Sequence, residues 1–213
     1  MEPSTPARSG DEWVLDHPTL RRFIEYVNTV RRRETDPQVI IATIRPAFAE
    51  LLADQSWLPQ QYQEPAVRSG MGSGIGTWLL YRAADGGLAL SSLVVPPGAQ
   101  TPVHDHLAWG LVGLYRGKQE EEVFVRRDDG TQEGRAVLEL AERRVLRPGD
   151  FYELLPEIDI HRVRTISSMT SVSLHLLGND IGCIWRHRFV PEEGRVEPFR
   201  SAYVNAPCGE DER

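Results

Sequence analysis

The chain has 213 residues, of which 26% are charged and 40% apolar, and a formal net charge of −7; that suits one hydrophobic core with appendages in an ordinary globular protein. The acidic balance, with no basic block longer than Arg31-Arg32-Arg33, argues against a nucleic-acid partner, whose binding depends on neutralising phosphates. No apolar run approaches the roughly 20 residues that span a bilayer, no secretory-type apolar segment opens the chain, and two cysteines, Cys183 and Cys208, are too few for a disulfide framework and fit a reducing compartment.

These features predict a cytoplasmic protein with no membrane partner and leave its oligomeric state open. Residues 1–12, polar and rich in Pro, Ser and Gly, are expected to form a disordered tail. Residues 13–74 read as a helical cap and connector. A helix begins near Pro18, with Leu20, Phe23, Ile24, Val27 and Val30 at helical spacing and the three arginines suiting its C-terminus. A second begins at Asp36-Pro37, Asp as N-cap and Pro in the first turn. Ile40, Ile44, Phe48, Leu51 and Leu52 give it an apolar stripe, and Pro46 is expected to kink or split it. Residues 55–74, with Trp57, Pro59, Pro65 and several glycines, predict an irregular connector.

From Thr77 onward short β-type runs alternate with turns. The expected strands are 77–82, 88–95, 100–106, 109–115, 120–126, 136–145, 151–155, 160–166, 170–177 and 182–189. Turn signals such as Asp85-Gly86-Gly87, Asp128-Asp129-Gly130, Pro148-Gly149 and Gly178-Asn179-Asp180 separate them. About ten short strands at regular spacing predict a closed antiparallel barrel or sandwich over residues 75–205, capped by the N-terminal helices and followed by a tail over 206–213.

Six histidines occur: His17, His104, His106, His161, His175 and His187. His17 and His187 read as structural or solvated. His104 and His106 stand one residue apart in an expected strand, so both rings point to one face, and imidazole is the commonest metal ligand near neutral pH. His161 lies in another strand, after the turn Pro148-Gly149-Asp150.

The spacing Gly98-x5-His104-x-His106-x3-Gly110-x6-Gly117 resembles the first motif of the cupin superfamily, with Gly110 where that motif has a glutamate. A looser second motif is recognisable in Gly149, Pro156 and His161, with one residue extra and Ile158 in place of a glycine. The resemblance implies a mainly β fold, the cupin double-stranded β-helix or jelly-roll barrel, with helices packed on it. Without the glutamate, the wording Thr101-Pro-Val-His-Asp-His-Leu-Ala-Trp-Gly110 looks like the thiol dioxygenases of that superfamily, cysteine dioxygenase and bacterial 3-mercaptopropionate dioxygenase. That likeness implies Fe(II) held by His104, His106 and His161, with a small thiol and O2 as partners and a sulfinic acid as product. Ser171-Val-Ser173-Leu-His175-Leu-Leu177 resembles the family's Ser-x-His-x-Tyr relay, which makes Ser173 and His175 the expected catalytic pair.

Two departures shape the expected chemistry. Leu177 stands where the relay has tyrosine, so another hydroxyl is needed if a donor is kept, with Tyr203, Tyr81 and Tyr115 as candidates. Gly110 occupies the slot of the cysteine that animal enzymes cross-link to that tyrosine, so no Cys-Tyr cross-link is expected. Thr77 aligns where the family has Arg or Gln, and Arg186 resembles the alternative arginine that holds the substrate carboxylate. The expected substrate is a thiol acid like 3-mercaptopropionate in preference to L-cysteine, with Arg186, Thr77, Leu177 and Tyr203 around it. Another metal-dependent cupin enzyme acting on a different small molecule, and a non-catalytic cupin ligand sensor, stay open as alternatives.

Overall fold

The computed structural model describes residues 9–67, 70–72 and 74–208. Two helices, α1 (Pro18–Arg31) and α2 (Pro37–Ala53), precede most of the strands. The strands are β1 (Glu12–Trp13), β2 (Gly76–Arg82), β3 (Ala89–Val95), β4 (Val103–His104), β5 (Gly110–Arg116), β6 (Gln119–Arg126), β7 (Leu138–Leu146), β8 (Phe151–Leu154), β9 (His161–Thr165), β10 (Ser171–Leu177), β11 (Arg186–Val190) and β12 (Arg195–Phe199). Among the described residues they make two six-stranded antiparallel sheets, ordered β1-β2-β3-β10-β5-β8 and β12-β11-β4-β9-β6-β7. This is the cupin jelly roll, with helices on one outer face. No helix among the described residues is long and apolar enough to cross a membrane.

The first sheet is covered on both sides, and its strands read accordingly. β3 and β10 are buried along their whole length, as expected when neither face meets water. The period of two still sorts their residues: Val172, Leu174 and Leu176 pack in the cluster that holds the helices. Ser173, His175 and Leu177 alternate with them and turn the other way, into the barrel. Gly113 of β5 lies under α2, where an added Cβ would come 2.3 Å from Leu52 Cδ1 and 2.9 Å from Phe48 Cε1. A glycine there lets the helix sit down on the sheet.

Four sequence expectations change. The helix α2 runs unbroken through Pro46, because Pro46 lies on the exposed side, where water can satisfy the freed carbonyl, while Ile44, Phe48, Leu51 and Leu52 hold the other side. The tail expected over 1–12 falls outside the described residues for 1–8, but Asp11 accepts hydrogen bonds from Tyr81 Oη and the Ala84 amide, and β1 pairs with β2. The strand expected over 100–106 shrinks to Val103–His104. Finally, Cys183 and Cys208 are joined in a disulfide. Two cysteines 25 residues apart read as unrelated until the C-terminal segment folds back beside residue 183; their pairing removes the support they lent to a reducing compartment.

Phe48 is fully buried and touches the rings of Phe23 and Phe151 at 6.1 and 5.6 Å between centroids. Phe48→Ala is expected to lower stability by about 3–5 kcal/mol, measured by urea denaturation. A loss below about 1 kcal/mol would show that α2 is not part of the barrel's core.

Candidate metal centre

His104 of β4 and His161 of β9 are direct partners across an antiparallel pair, so their side chains leave the sheet on the same face. His106 lies past the end of β4. The Asp159 carboxylate accepts the backbone N–H of both His106 (2.8 Å) and Leu107 (2.7 Å), and Leu107 adopts φ +53°. This turn brings the third ring back to the other two. The ring centroids lie 4.8–4.9 Å apart in all three pairs, and one nitrogen from each ring falls within 4.8 Å of the others.

The opposite side of each ring is tied down. His104 Nδ1 meets Pro102 O at 2.9 Å, His106 Nδ1 meets Asp159 O at 3.3 Å, and His161 Nδ1 meets Glu121 Oε1 at 2.6 Å. A ring that donates its Nδ1 proton keeps a lone pair on Nε2. His161 Nε2 is buried without a partner, a position that costs free energy unless something fills it. Burial, followed by neighbouring positive charge, pushes His104 and His106 well below the usual imidazole range, so both are neutral. Three buried, convergent ring nitrogens fit a transition metal, and no carboxylate belongs to the set.

His104 and His106 open on a small cavity of about 20 Å³, lined also by His175, Thr77, Arg186, Ser201 and Leu177. Ser173 Oγ lies 3.0 Å from His175 Nε2, and burial drops His175 to a pKa of about 3. Arg186 is buried; Nη1 donates to Asp105 O (2.6 Å), Nη2 donates to Ser201 Oγ (3.1 Å), and the guanidinium lies 4.5 Å over the Phe199 ring. Its Nε has no partner, and neither has Thr77 Oγ1. Burial lowers Arg186 to about 10, which leaves it charged at neutral pH. A buried guanidinium bonded only to neutral oxygens is an anion site.

Gly110 and Leu177 are cross-strand partners. A Cβ on Gly110 would come 2.3 Å from Leu176 O and 2.5 Å from Leu177 Cδ2, so the two departures from the family pattern face each other and share one space. Tyr203 is a correction: its hydroxyl donates to Asp180 (2.9 Å) and accepts from the Gly182 amide (3.1 Å), and the residue does not line the cavity. Tyr81 and Tyr115 are also turned elsewhere, to Asp11 and to Asp54 O. His17 caps α1 by accepting from the Thr19 amide, and His187 pairs with Asp105 at 2.6 Å.

Several residues at the site carried no sequence signal. Glu121 sits in the run Glu120-Glu121-Glu122, which reads as a solvated face, yet its side chain is fully buried. Ser201 belongs to a strap, residues 199–208, laid beside the cavity. Ala202 N donates to Gly182 O, Val204 N donates to Thr77 O, and Asn205 exchanges two bonds with the Leu79 backbone before Cys208 closes the disulfide. The strap thus backs both Thr77 and Arg186.

The metal-free protein should lose stability as pH falls. The unfolded chain protonates its histidines near 6.5, whereas folded His104, His106 and His175 resist protonation. The unfolded state therefore binds more protons below about 6.5, and stability declines from there downward. Urea midpoints in chelator at pH 7.5, 6.5 and 5.5 test this, and an unchanged midpoint would contradict it.

A family model for cysteine dioxygenase type I matches residues 66–184, more than half of the chain, and spans all three clustered histidines together with Ser173 and His175. Arg186 and the strap lie beyond it. Among solved structures, the chain is similar to peruvianin-I, a cysteine peptidase from Thevetia peruviana latex (18% identity, TM-score 0.41, 60% of this chain and 74% of that one). It is also similar to an oxalate oxidase (15%, TM-score 0.43, 60% and 61%) and to the Cupin_2 domain of an XRE-family transcriptional regulator from Enterobacter cloacae (19%, TM-score 0.34, 48% and 94%). At these identities and scores the likenesses bear on neither ligand nor reaction. The extent of the family match, over a jelly roll with three clustered histidines, places the chain in the cysteine dioxygenase type I family, the thiol dioxygenases of the cupin superfamily.

Proposed function

We propose that the chain is an Fe(II)-dependent dioxygenase that converts a small thiol carboxylate to its sulfinic acid, RSH + O2 → RSO2H, taking both oxygen atoms from O2. The substrate in this reading resembles 3-mercaptopropionate and is preferred over L-cysteine. One observation carries it: three clustered imidazoles with no ligand carboxylate, two of which, His104 and His106, line the same cavity as a buried arginine bonded only to neutral oxygens. When bound, iron supplies neighbouring open positions for a thiolate sulfur and O2, and the redox chemistry that joins them.

The chain's own residues do the rest. Arg186 binds the carboxylate through the edge carrying its unpartnered Nε, and Thr77 Oγ1 offers a second hydrogen bond. His175, neutral and hydrogen-bonded to Ser173, stands at the cavity wall as the catalytic group that orients the bound substrate by a hydrogen bond. Leu177, Leu93 and Ile181 supply an apolar wall that excludes water. The lining contains no carboxylate, so the α-ammonium of cysteine would meet Arg186 without an acidic partner. The partners are thus a small thiol and O2, with neither nucleic acid nor membrane. We keep the cytoplasm as the expected location, with the Cys183–Cys208 disulfide as the observation against it.

Anaerobic loading with Fe(II), followed by a panel of thiol acids and O2, tests the reading. O2 uptake coupled to sulfinate formation, fastest with acids lacking an α-amino group, is expected. Inertness toward every small thiol would overturn it, and a wide preference for L-cysteine would overturn the substrate assignment. Arg186→Ala should raise KM about 10–100-fold, the worth of a charge-assisted hydrogen bond of about 1.5–3 kcal/mol; an unchanged KM would remove Arg186 from the carboxylate site. His161→Ala should abolish iron retention, read by metal analysis after gel filtration.

A further inference from the structure

The carboxylate missing from the ligand set reappears one layer behind it. Glu121 on β6 is completely buried; Oε1 lies 2.6 Å from His161 Nδ1 and Oε2 accepts from Arg144 Nε. Arg144 in turn stacks 4.0 Å over the Tyr152 ring, and the Tyr152 hydroxyl is 3.2 Å from the same His161 nitrogen. Glu121 thus sits, inside the barrel, between a ring nitrogen and a guanidinium, the setting of a charge-assisted pair. Neither of the other two histidines has such a partner: His104 and His106 rest on the backbone oxygens of Pro102 and Asp159. The three imidazoles are therefore unequal. A carboxylate accepting the Nδ1 proton draws that proton away from the ring, which enriches Nε2 and makes it a stronger donor to a metal, and it fixes tautomer and ring orientation together.

We propose that Glu121 is the positioning residue of the metal centre, holding His161 as the strongest donor of the three and returning to the site, at one remove, the negative charge that Gly110 takes out of it. The inference rests on the reading of His104, His106 and His161 as metal ligands. The competing account is that Glu121 and Arg144 only pin β6 to β7, which are partners at these residues. The two accounts separate on metal affinity and spectrum, because a strand pin changes stability alone.

The test compares wild type with Glu121→Gln, which keeps the shape and removes the charge, and with Arg144→Gln, which breaks the pin and leaves the contact to His161. Dissociation constants for Co(II) and Fe(II) are measured by chelator competition, together with the visible absorption of the Co(II) form and the urea midpoint of the metal-free protein. Glu121→Gln is expected to weaken metal binding about 10–100-fold and to shift the Co(II) bands, with Arg144→Gln changing affinity far less. A folded Glu121→Gln protein with wild-type affinity and spectrum overturns the proposal. Should that variant not fold, 15N spectra of the wild-type metal-free protein decide: His161 is expected as the Nδ1–H tautomer with the most downfield ring proton of the three, and an Nε2–H tautomer overturns it. A wild-type protein that binds no transition metal refutes the metal centre itself, a result distinct from either failure.

Discussion

Three imidazoles enclosed between two sheets converge on one point only because each holds its Nδ1 against an oxygen fixed in the fold. Much of the local architecture follows from that requirement. The pairing of β4 with β9 sets His104 opposite His161. The Asp159 side chain binds two successive amides, while its backbone oxygen takes the His106 proton. Thus one residue both turns the chain and orients the ring it has turned. The acceptors lie on the far side of the rings from the point where they converge, so these bonds aim the opposite nitrogens at one another.

Charge is segregated around this cluster. On the cavity side stands Arg186, a cation with no carboxylate in direct contact, backed by Phe199 and held by neutral oxygens. Behind the cluster stands Glu121, matched by Arg144. A ligand entering the cavity therefore meets positive charge, and negative charge reaches the rings only through a histidine. This polarity suits an anionic guest with two anionic ends, a thiolate and a carboxylate, and disfavours one that also carries an ammonium group.

Much of this was legible in the sequence because it was local. Two histidines at spacing two, glycines at fixed offsets and a Ser-x-His in a strand are patterns read from neighbouring residues, and the structure brings His104, His106 and His175 to one cavity, with Ser173 bonded to His175. What escaped was set by contacts distant along the chain. Glu121 is 40 residues from the histidine it touches, within an acidic run whose other members pair with arginines at the surface. Ser201 and the strap join the site only because the chain returns after β12, and Cys208 meets Cys183 by the same return. Pro46 misled in the opposite direction, since a local rule about helix interiors gave way to burial of the helix's other face.

The closeness of Gly110 to Leu177 has a consequence for how this site can change over evolutionary time. Placing a side chain at 110 drives a Cβ into the Leu176 carbonyl and the Leu177 methyl, so a cysteine there first requires the leucine and the strand beneath it to shift. A tyrosine at 177 without that cysteine would have no thiol to join. A side chain at 110 and the one at 177 thus compete for one space, so a change at either position is coupled to the other.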